Sequence, residues 1–241
     1  MANEADLLRE AMKSIGVTLS PEQERDFLDY LNILQATNSK INLVSNSDTE
    51  EVIWKHFVDS LAAFNIIVEI IKKHSTVSLL DIGAGAGFPG IPLKIMFPEL
   101  YLTLLEATKK KADFLMEAID TLMLSNVSVI WGRAEEYGNN KLYRELFDVV
   151  VVRALAELNS LAELALPFVK LNGLLIAYKG PNIKEELDRA GNALKVLGGT
   201  LERQTLIEIK EFKRTFLLIR KTEPTPLKYP RRIGIPIKRP I

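Results

Sequence analysis

The sequence predicts an α/β fold built on a seven-stranded, mostly parallel sheet. Three observations predict it. From Val77 onward, short uninterrupted apolar runs alternate with helical stretches; the first run ends in a glycine-rich turn; and only five residues separate the last two runs. Uninterrupted apolar runs are typical of strands that are covered on both faces, as in sheets made of βαβ units.

Residues 1–75 are predicted to be helical. Two helices begin the chain, and Ser20-Pro21 supplies a cap and a first-turn proline for the second. A third helix places Trp54, Phe57, Val58 and Leu61 on one face. The other face of this helix carries polar side chains, which we expect to tie the N-terminal helices to the sheet rather than to act in catalysis: His56, Asp59 and Ser60.

Seven strands and the helices between them account for residues 77–220. The final two strands must be antiparallel, because a parallel crossover needs about a dozen residues or more. The predicted strands are Val77–Ile82, Tyr101–Leu105, Val127–Ile130, Phe147–Val152, Leu174–Tyr178, Thr205–Ile209 and Thr215–Arg220. The predicted helices among them are Lys109–Leu124, Leu158–Val169 and Ile183–Leu197.

The chain is expected to divide into three parts. Residues 1–75 form an N-terminal helical extension packed on the core, residues 76–222 form the cofactor-binding core, and residues 223–241 form a basic, proline-rich tail. We expect the tail to be extended or loosely ordered, since prolines favour open backbone without internal hydrogen bonds.

Composition excludes several classes of site. The 241 residues include no cysteine and only two histidines, which excludes disulfides, thiolate metal sites, iron–sulfur clusters and histidine-rich zinc sites. The N-terminus lacks a basic leader, and no apolar run approaches the roughly 18 residues of a membrane helix. We therefore expect a cytoplasmic protein that uses neither membrane nor metal.

The charge is distributed unevenly. The whole chain has 31 basic and 31 acidic side chains, yet residues 210–241 carry ten Lys and Arg against two Glu. A basic end on an acidic body suggests a polyanionic partner.

The glycine turn after the first strand is the sharpest local motif. Asp81 precedes three alternating glycines, Gly83, Gly85 and Gly87, which would expose backbone amides and a helix N-terminus at the carboxyl edge of the sheet. Gly85, Gly87 and Gly90 also satisfy the dinucleotide pattern G-x-G-x-x-G. Glu106 lies 19 residues beyond Gly87, where its carboxylate could accept hydrogen bonds from ribose hydroxyls. The turn alone therefore fits NAD and S-adenosylmethionine equally.

The strand pattern favours the second ligand. Five parallel strands followed by an antiparallel hairpin are expected of the class I S-adenosylmethionine-dependent methyltransferase (Rossmann-like) sheet, whereas a dinucleotide domain usually continues into a sixth parallel strand. A hydride-transfer enzyme would also need a proton donor near its substrate. Both histidines precede the turn, which makes NAD the less favoured ligand.

Short motifs along almost the whole chain carry a specific resemblance. They are Asn42-Leu43, His56 to Leu61, Asp81 to Pro92, Arg133 to Glu136, Val152 to Ala154, Tyr178 to Gly180, and Lys228 to Arg232 continuing to Pro240. In this order they resemble the RsmG family, also called GidB, the 16S ribosomal RNA (guanine-527-N7)-methyltransferases. One departure is Glu106-Ala107, where many members have an acidic residue followed by serine.

The resemblance implies a class I fold and S-adenosylmethionine as cofactor. It implies that Gly83 and Phe88 line the methionine and ribose side, that Ala134 and Glu135 border the adenine, and that Arg153 is a catalytic residue between cofactor and substrate. We also expect the Glu106 carboxylate to accept hydrogen bonds from the ribose hydroxyls; this assignment does not come from the resemblance. The predicted cofactor-binding residues are Asp81, Gly83, Gly85, Gly87, Phe88, Glu106, Ala134, Glu135 and Arg153.

Two of these side chains, and one candidate RNA contact, have structural alternatives. Phe88 could be a core anchor beneath the turn, and Arg153 could form an ion pair with Asp148 or Glu157. Arg133, a candidate RNA contact, could instead pair with Glu135 or Glu136.

The implied reaction needs no general base, because guanine N7 is an acceptor that bears no proton. A loop base that can be splayed out is the expected target, within 16S rRNA of the 30S subunit, and we expect a monomer. Alternatives are a small-molecule methyltransferase, an NAD-dependent oxidoreductase or a noncatalytic nucleic-acid-binding module. The candidate RNA contacts are Lys109 to Lys111, Arg133, Lys179, Lys228, Arg231, Arg232, Lys238 and Arg239.

Overall fold

A computed structural model describes residues 3–74, 76–210 and 212–241. One seven-stranded sheet has the order β3-β2-β1-β4-β5-β7-β6, with β1 to β5 parallel and β7 antiparallel to both of its neighbours. This order confirms the predicted class I methyltransferase fold. The strands are β1 Ser78–Ile82, β2 Tyr101–Glu106, β3 Val127–Trp131, β4 Phe147–Arg153, β5 Val169–Lys179, β6 Gly199–Ile209 and β7 Phe212–Lys221.

Eleven α-helical segments are present in the described part of the chain. The N-terminal ones are α1 Glu4–Ser14, α2 Pro21–Ile41, α3 Thr49–Val52, α4 Asp59–Leu61 and α5 Phe64–Ile71. The remainder are α6 Gly90–Met96, α7 Lys109–Thr121, α8 Ala134–Tyr137, α9 Leu158–Ala165, α10 Lys184–Leu197 and α11 Ile235–Lys238. A π-helical turn at Ile53–Val58 joins α3 to α4, and a 3₁₀ turn at Leu166–Phe168 follows α9.

The start of α2 shows how local sequence sets a boundary. The Gln23 amide donates to the Ser20 hydroxyl at 3.1 Å, and the Ser20 amide donates to the Gln23 side chain at 2.9 Å. Pro21 occupies the first turn, where its missing N–H costs no hydrogen bond. The predicted cap and first-turn proline are therefore confirmed, and Gln23 completes a capping box.

The sheet is covered on both faces. Side chains alternate between faces along a strand, so Leu79 and Val149 belong to one apolar cluster, and Leu80 and Val150 belong to the other. The first cluster includes residues of α1, α2 and the helical stretch from Val52 to Leu61, and the second includes residues of α9 and α10. This packing explains why the strands read as uninterrupted apolar runs.

Some predicted boundaries are wrong. The helix expected to run to Val169 ends at Ala165, and β5 begins at Val169, five residues before the predicted start. β6 begins at Gly199 rather than Thr205, because its exposed, polar first half pairs with β7 and carries no apolar signal.

The C-terminal tail is docked on the body, so the expectation of loose order is wrong. Arg231 forms a bidentate ion pair with the buried Glu163 of α9, with nitrogen–oxygen distances of 2.9 and 2.5 Å. The Arg144 guanidinium donates to the carbonyls of Tyr229 and Thr225, both at 2.7 Å. The division of the chain into three domains stays a prediction.

A span of membrane would require a long apolar helix, and none of the helices described here meets that requirement.

Candidate cofactor and substrate site

The glycine turn lies at the carboxyl end of β1. Gly83, Gly85 and Gly87 have φ angles of +71°, +60° and +99°, a region that side chains with a Cβ rarely adopt. A Cβ on Gly87 would also lie 2.5 Å from Ile91 Cδ1 and 2.7 Å from the Tyr30 hydroxyl. The missing Cβ of Gly87 therefore makes room for Ile91 and Tyr30, whereas a Cβ on Gly85 would meet only the Gly83 carbonyl oxygen, at 3.8 Å. The backbone at Gly85 is the open part of the turn.

Glu106, at the end of β2, holds the turn in place. Its Oε2 accepts from the Gly85 amide at 2.9 Å, and its Oε1 accepts from the Thr108 amide at 2.7 Å. A carboxylate has about four lone-pair sites, so both oxygens can still accept from a ligand hydroxyl. The predicted contact with ribose hydroxyls stays a prediction, and the side chain has a second role that the sequence did not reveal.

Asp81, the second-to-last residue of β1, is fully buried. Its Oδ2 accepts from the Gly90 amide at 2.8 Å, whereas its Oδ1 has no hydrogen-bond partner among the described residues. Burial raises the pKa of Asp81 to about 7, aided by the charge of Glu106 and opposed by the Gly90 N–H and Arg153. A buried oxygen without a partner is an acceptor available to a ligand, such as an ammonium group.

Phe88 stacks in an aromatic cluster beside the turn. The imidazole of His56 lies 4.8 Å from the Phe88 ring at an interplanar angle of 11°, and the Arg153 guanidinium carbon lies 5.0 Å from the same ring centroid. Tyr30 and Phe57 pack around it at centroid distances of 5.5 and 6.0 Å. Phe88 therefore does anchor the turn, and whether it also lines the cofactor stays a prediction.

His56 is an uncharged hydrogen-bond acceptor. Its Nδ1 lies 3.1 Å from Nη2 of Arg153, and since a guanidinium can only donate, the imidazole proton resides on Nε2. Burial, followed by the charges of Arg153 and Lys55, lowers the pKa of His56 to about 3.

Asp59 joins the arginines of two different strands. Its carboxylate, 1% exposed, accepts from Arg153 Nη1 at 3.0 Å and from Arg214 Nε and Nη2 at 2.6 and 2.8 Å. The ion pairs considered for Arg153 from sequence are wrong: Asp148 pairs with Lys170 and Glu157 pairs with Arg189.

The helical stretch that carries His56 and Asp59 is bound to the sheet, as predicted. Besides the two arginine contacts of Asp59, the Tyr178 hydroxyl of β5 donates to the Ser60 carbonyl at 2.9 Å. The stretch contains the π-helical turn Ile53–Val58, a rare conformation that is frequent at functional sites. The sequence predicted a regular helix here and gave no signal for this turn.

Ala134 and Glu135 begin α8, directly after β3. Both are buried, and Glu135 Oε1 accepts from the Gly234 amide of the tail at 2.9 Å. The predicted adenine border is therefore held from outside by the C-terminal tail. Its contact with adenine stays a prediction.

The structure corrects two of the predicted RNA contacts. The Lys179 ammonium is buried and donates to Glu186 at 2.5 Å and to the Ala156 carbonyl at 2.6 Å, so it is not available to a phosphate. Arg231 is committed to Glu163 in the same way. Lys111 is half-buried, and the other predicted contacts are exposed: Lys109, Lys110, Arg133, Lys228, Arg232, Lys238 and Arg239.

Sequence reasoning missed Tyr30 and Arg214. The Tyr30 hydroxyl donates to the Ala86 carbonyl inside the glycine turn, across 56 residues of sequence. Arg214 follows Lys213 in a strand that also carries Arg220 and Lys221, and nothing in that pattern pointed to Asp59. Only the tertiary fold brings these partners together.

The chain is similar to known proteins over nearly its full length. The family model described as rRNA small subunit methyltransferase G matches residues 23–217. The Ribosomal RNA small subunit methyltransferase G of Dictyoglomus thermophilum is 45% identical over 235 residues, which cover 98% of this chain and 96% of the relative. That of Alkaliphilus metalliredigens is 42% identical over 237 residues, 98% of each chain.

Solved structures share the fold. MtNAS in complex with MTA and tNA aligns with a TM-score of 0.56 at 18% identity, covering 80% of this chain and 70% of that chain. M. jannaschii TYW2 in complex with AdoMet aligns with a TM-score of 0.50 at 17% identity, covering 65% of this chain and 76% of that chain.

Asp81 should make stability depend on pH. Because its folded-state pKa is raised, it stabilises the fold most below the unfolded pKa near 4, and this contribution is lost as the pH rises through about 7. The Asp81→Asn variant should lack that loss. Its free energy of unfolding relative to the parent should therefore rise by a few kcal/mol between pH 4 and pH 8, at about 1.4 kcal/mol per pKa unit.

Urea titrations of both proteins across this range provide the measurement. Parallel curves for parent and variant would show that the carboxyl is not protonated in the folded protein.

Proposed function

Because the chain belongs to the rRNA small subunit methyltransferase G family, we propose that it methylates N7 of a guanine in 16S ribosomal RNA, at position 527 in the 530 loop. The predicted cofactor, S-adenosylmethionine, is confirmed by this membership. The observation that carries the proposal is the match of a methyltransferase family over residues 23–217, which includes the glycine turn, Asp59 and Arg153.

The residues at the carboxyl edge fit this cofactor. The open backbone at Gly85 admits a ligand, the unpaired Oδ1 of Asp81 can accept from the ammonium of the methionine end, and Glu106 can accept hydrogen bonds from ribose hydroxyls. Ala134 and Glu135 lie after the next strand, on the side expected for adenine.

When bound, S-adenosylmethionine supplies an electrophilic methyl group, so the N7 lone pair forms the new N–C bond as the S–C bond breaks, giving a thioether and a cationic base. No proton leaves N7, and the site accordingly requires no general base. His56 agrees with this: its lowered pKa makes it a weak base, and its Nδ1 already accepts from Arg153. The protein therefore contributes by aligning the two reactants and holding them close together, which can lower the activation barrier by roughly 7–11 kcal/mol.

Arg153 is fixed from three sides. Its Nη atoms donate to the Lys55 carbonyl at 3.3 Å, to Asp59 and to His56, which leaves two of its five N–H groups for a ligand. An arginine against N7 would repel the cationic product base. Arg153 therefore serves to hold guanine O6, a phosphate or the cofactor carboxylate.

Exposed cations lie on the docked tail and at the N-terminus of α7. Lys228, Arg232, Lys238 and Arg239 project from the tail, which reaches the cofactor edge through Gly234. This arrangement supports binding of an RNA loop across the edge, since single-stranded loops present bases that can be splayed out.

Mapping the methylated base tests the proposed function. Naked 16S rRNA and 30S subunits that lack the modification are incubated with labelled S-adenosylmethionine, and free guanosine serves as the small-molecule control. We expect label on N7 of one loop guanine. Label on free guanosine alone, or on another RNA position, would contradict the proposal.

Replacing Arg153 with alanine should lower kcat/KM for methyl transfer roughly 10- to 100-fold, the size expected for loss of a charge-assisted hydrogen bond in the site. The matched control is Arg189→Ala, which removes an exposed arginine of α10 and should leave transfer unchanged. Thermal melts of both variants separate a folding defect from a catalytic one. Equal kinetics for the parent and Arg153→Ala would remove Arg153 from the site.

Removing four exposed tail charges should weaken the salt dependence of RNA binding. Replacing Lys228, Arg232, Lys238 and Arg239 with glutamine leaves the Arg231–Glu163 pair intact, and each lost phosphate contact should flatten the log–log salt slope by about 0.7, or about 3 in all. The control replaces four exposed lysines elsewhere with glutamine: Lys13, Lys72, Lys141 and Lys195. The same change of slope in both variants would show that net charge, rather than the tail, is responsible.

A further inference from the structure

We propose that the exposed indole of Trp131, with the cations around it, is a stacking platform for a base of single-stranded RNA that neighbours the target nucleotide. This inference rests on the proposed function in RNA methylation, and it adds a contact that neither the tail nor the cofactor site provides.

Trp131 is a large aromatic side chain left in solvent. It is the last residue of β3, at the edge of the sheet, and 57% of its surface is exposed, whereas Trp54 is 7% exposed. Its indole N–H donates to the Ala107 carbonyl at 3.2 Å, which fixes the orientation of the ring. A rigid, exposed aromatic face is the feature on which nucleic-acid bases stack.

The position of the ring connects it with the cofactor site. Trp131 is the register partner of Glu106, the residue whose carboxylate holds the Gly85 amide of the glycine turn. The indole therefore lies at the same carboxyl edge as the turn, two strands further out. A strand of RNA that delivers a base to this edge has neighbouring nucleotides within its reach.

The charges around the ring favour RNA over an apolar partner. The Lys109 ammonium lies 5.3 Å from the ring centroid. Lys110, in the first turn of α7, and Arg133, two residues after Trp131, are both exposed. Among the nearby acids, Glu106 and Glu135 are buried and accept hydrogen bonds from backbone amides. The exposed acids are two, against three cations: Asp113, which pairs with Lys109 at 3.0 Å, and Glu136 in α8. Phosphates beside a stacked base would meet this excess of positive charge.

Affinity for RNA provides the first test. Binding of a 16S rRNA fragment that contains the proposed target loop is measured at fixed salt for the parent, Trp131→Ala, Trp131→Phe and Tyr101→Ala. Tyr101 is a matched control, since it is 51% exposed and lies at the opposite end of the neighbouring strand β2. We expect a roughly 5- to 100-fold loss of affinity for Trp131→Ala, near-parent binding for Trp131→Phe, and no change for Tyr101→Ala.

Tryptophan fluorescence provides a readout that does not depend on catalysis. The chain has two tryptophans, so the Trp131→Phe variant reports on Trp54 alone and the difference from the parent reports on Trp131. The same RNA fragment should protect the Trp131 signal from acrylamide quenching and leave the Trp54 signal unchanged.

The outcomes separate this inference from the proposed function. RNA that is methylated at guanine N7 without shielding Trp131, or with equal affinity for Trp131→Ala, would overturn the platform while leaving the activity in place. RNA that shields Trp131 but is methylated elsewhere, or not at all, would support the platform and contradict the proposed function. Self-association of the parent that Trp131→Ala abolishes, without RNA shielding, would assign the patch to a second copy and also overturn the inference.

Discussion

The buried carboxylate of Asp59 is the contact on which the site depends. It receives Arg153 from β4 and Arg214 from β7, and it belongs to the helical stretch that also carries His56. Removing one member of such a buried group leaves the others unpaired, which typically costs about 3–5 kcal/mol. The ion pairs thus fix the N-terminal helices, the central strands and the terminal hairpin relative to one another, and Arg153 obtains its position from all three.

A second feature recurs across the structure: acidic side chains accept hydrogen bonds from backbone amides of loops and helix starts. Asp81 holds Gly90, Glu106 holds Gly85, Glu135 holds Gly234, and Glu145 holds Thr225. Hydrogen bonds to charged groups are stronger than neutral ones, contributing about 1.5–3 kcal/mol. This use of carboxylates gives part of the acidic excess in the body of the chain a structural role.

The sheet could be predicted because its signal is local. The glycine turn, the uninterrupted runs of β1 and β4, and the short link before β7 each determine their structure within a few residues. The alternative NAD domain is not supported, because β7 and β6 form a hairpin in place of a sixth parallel strand. The glycine positions of the site were predictable for the same reason.

The remainder of the site depends on contacts between distant residues. Asp59 and Arg214 are 155 positions apart, and the burial of Lys179 beside Glu186 depends on how α10 packs. A motif cannot distinguish a lysine that faces solvent from one that is already neutralised. The π-helical turn at Ile53–Val58 likewise results from tertiary packing rather than from residue preference.

The attachment of the tail to α8 has a consequence for truncated chains. The Gly234 amide is one of the groups that keep Glu135 in place, and Pro230 packs against Gly138 at the end of the same helix. A stop codon near the end of the reading frame would therefore remove more than surface charge. It would leave the Glu135 carboxylate without the Gly234 amide and the Glu163 carboxylate without Arg231, so α8 and α9 would both lose a contact that holds them.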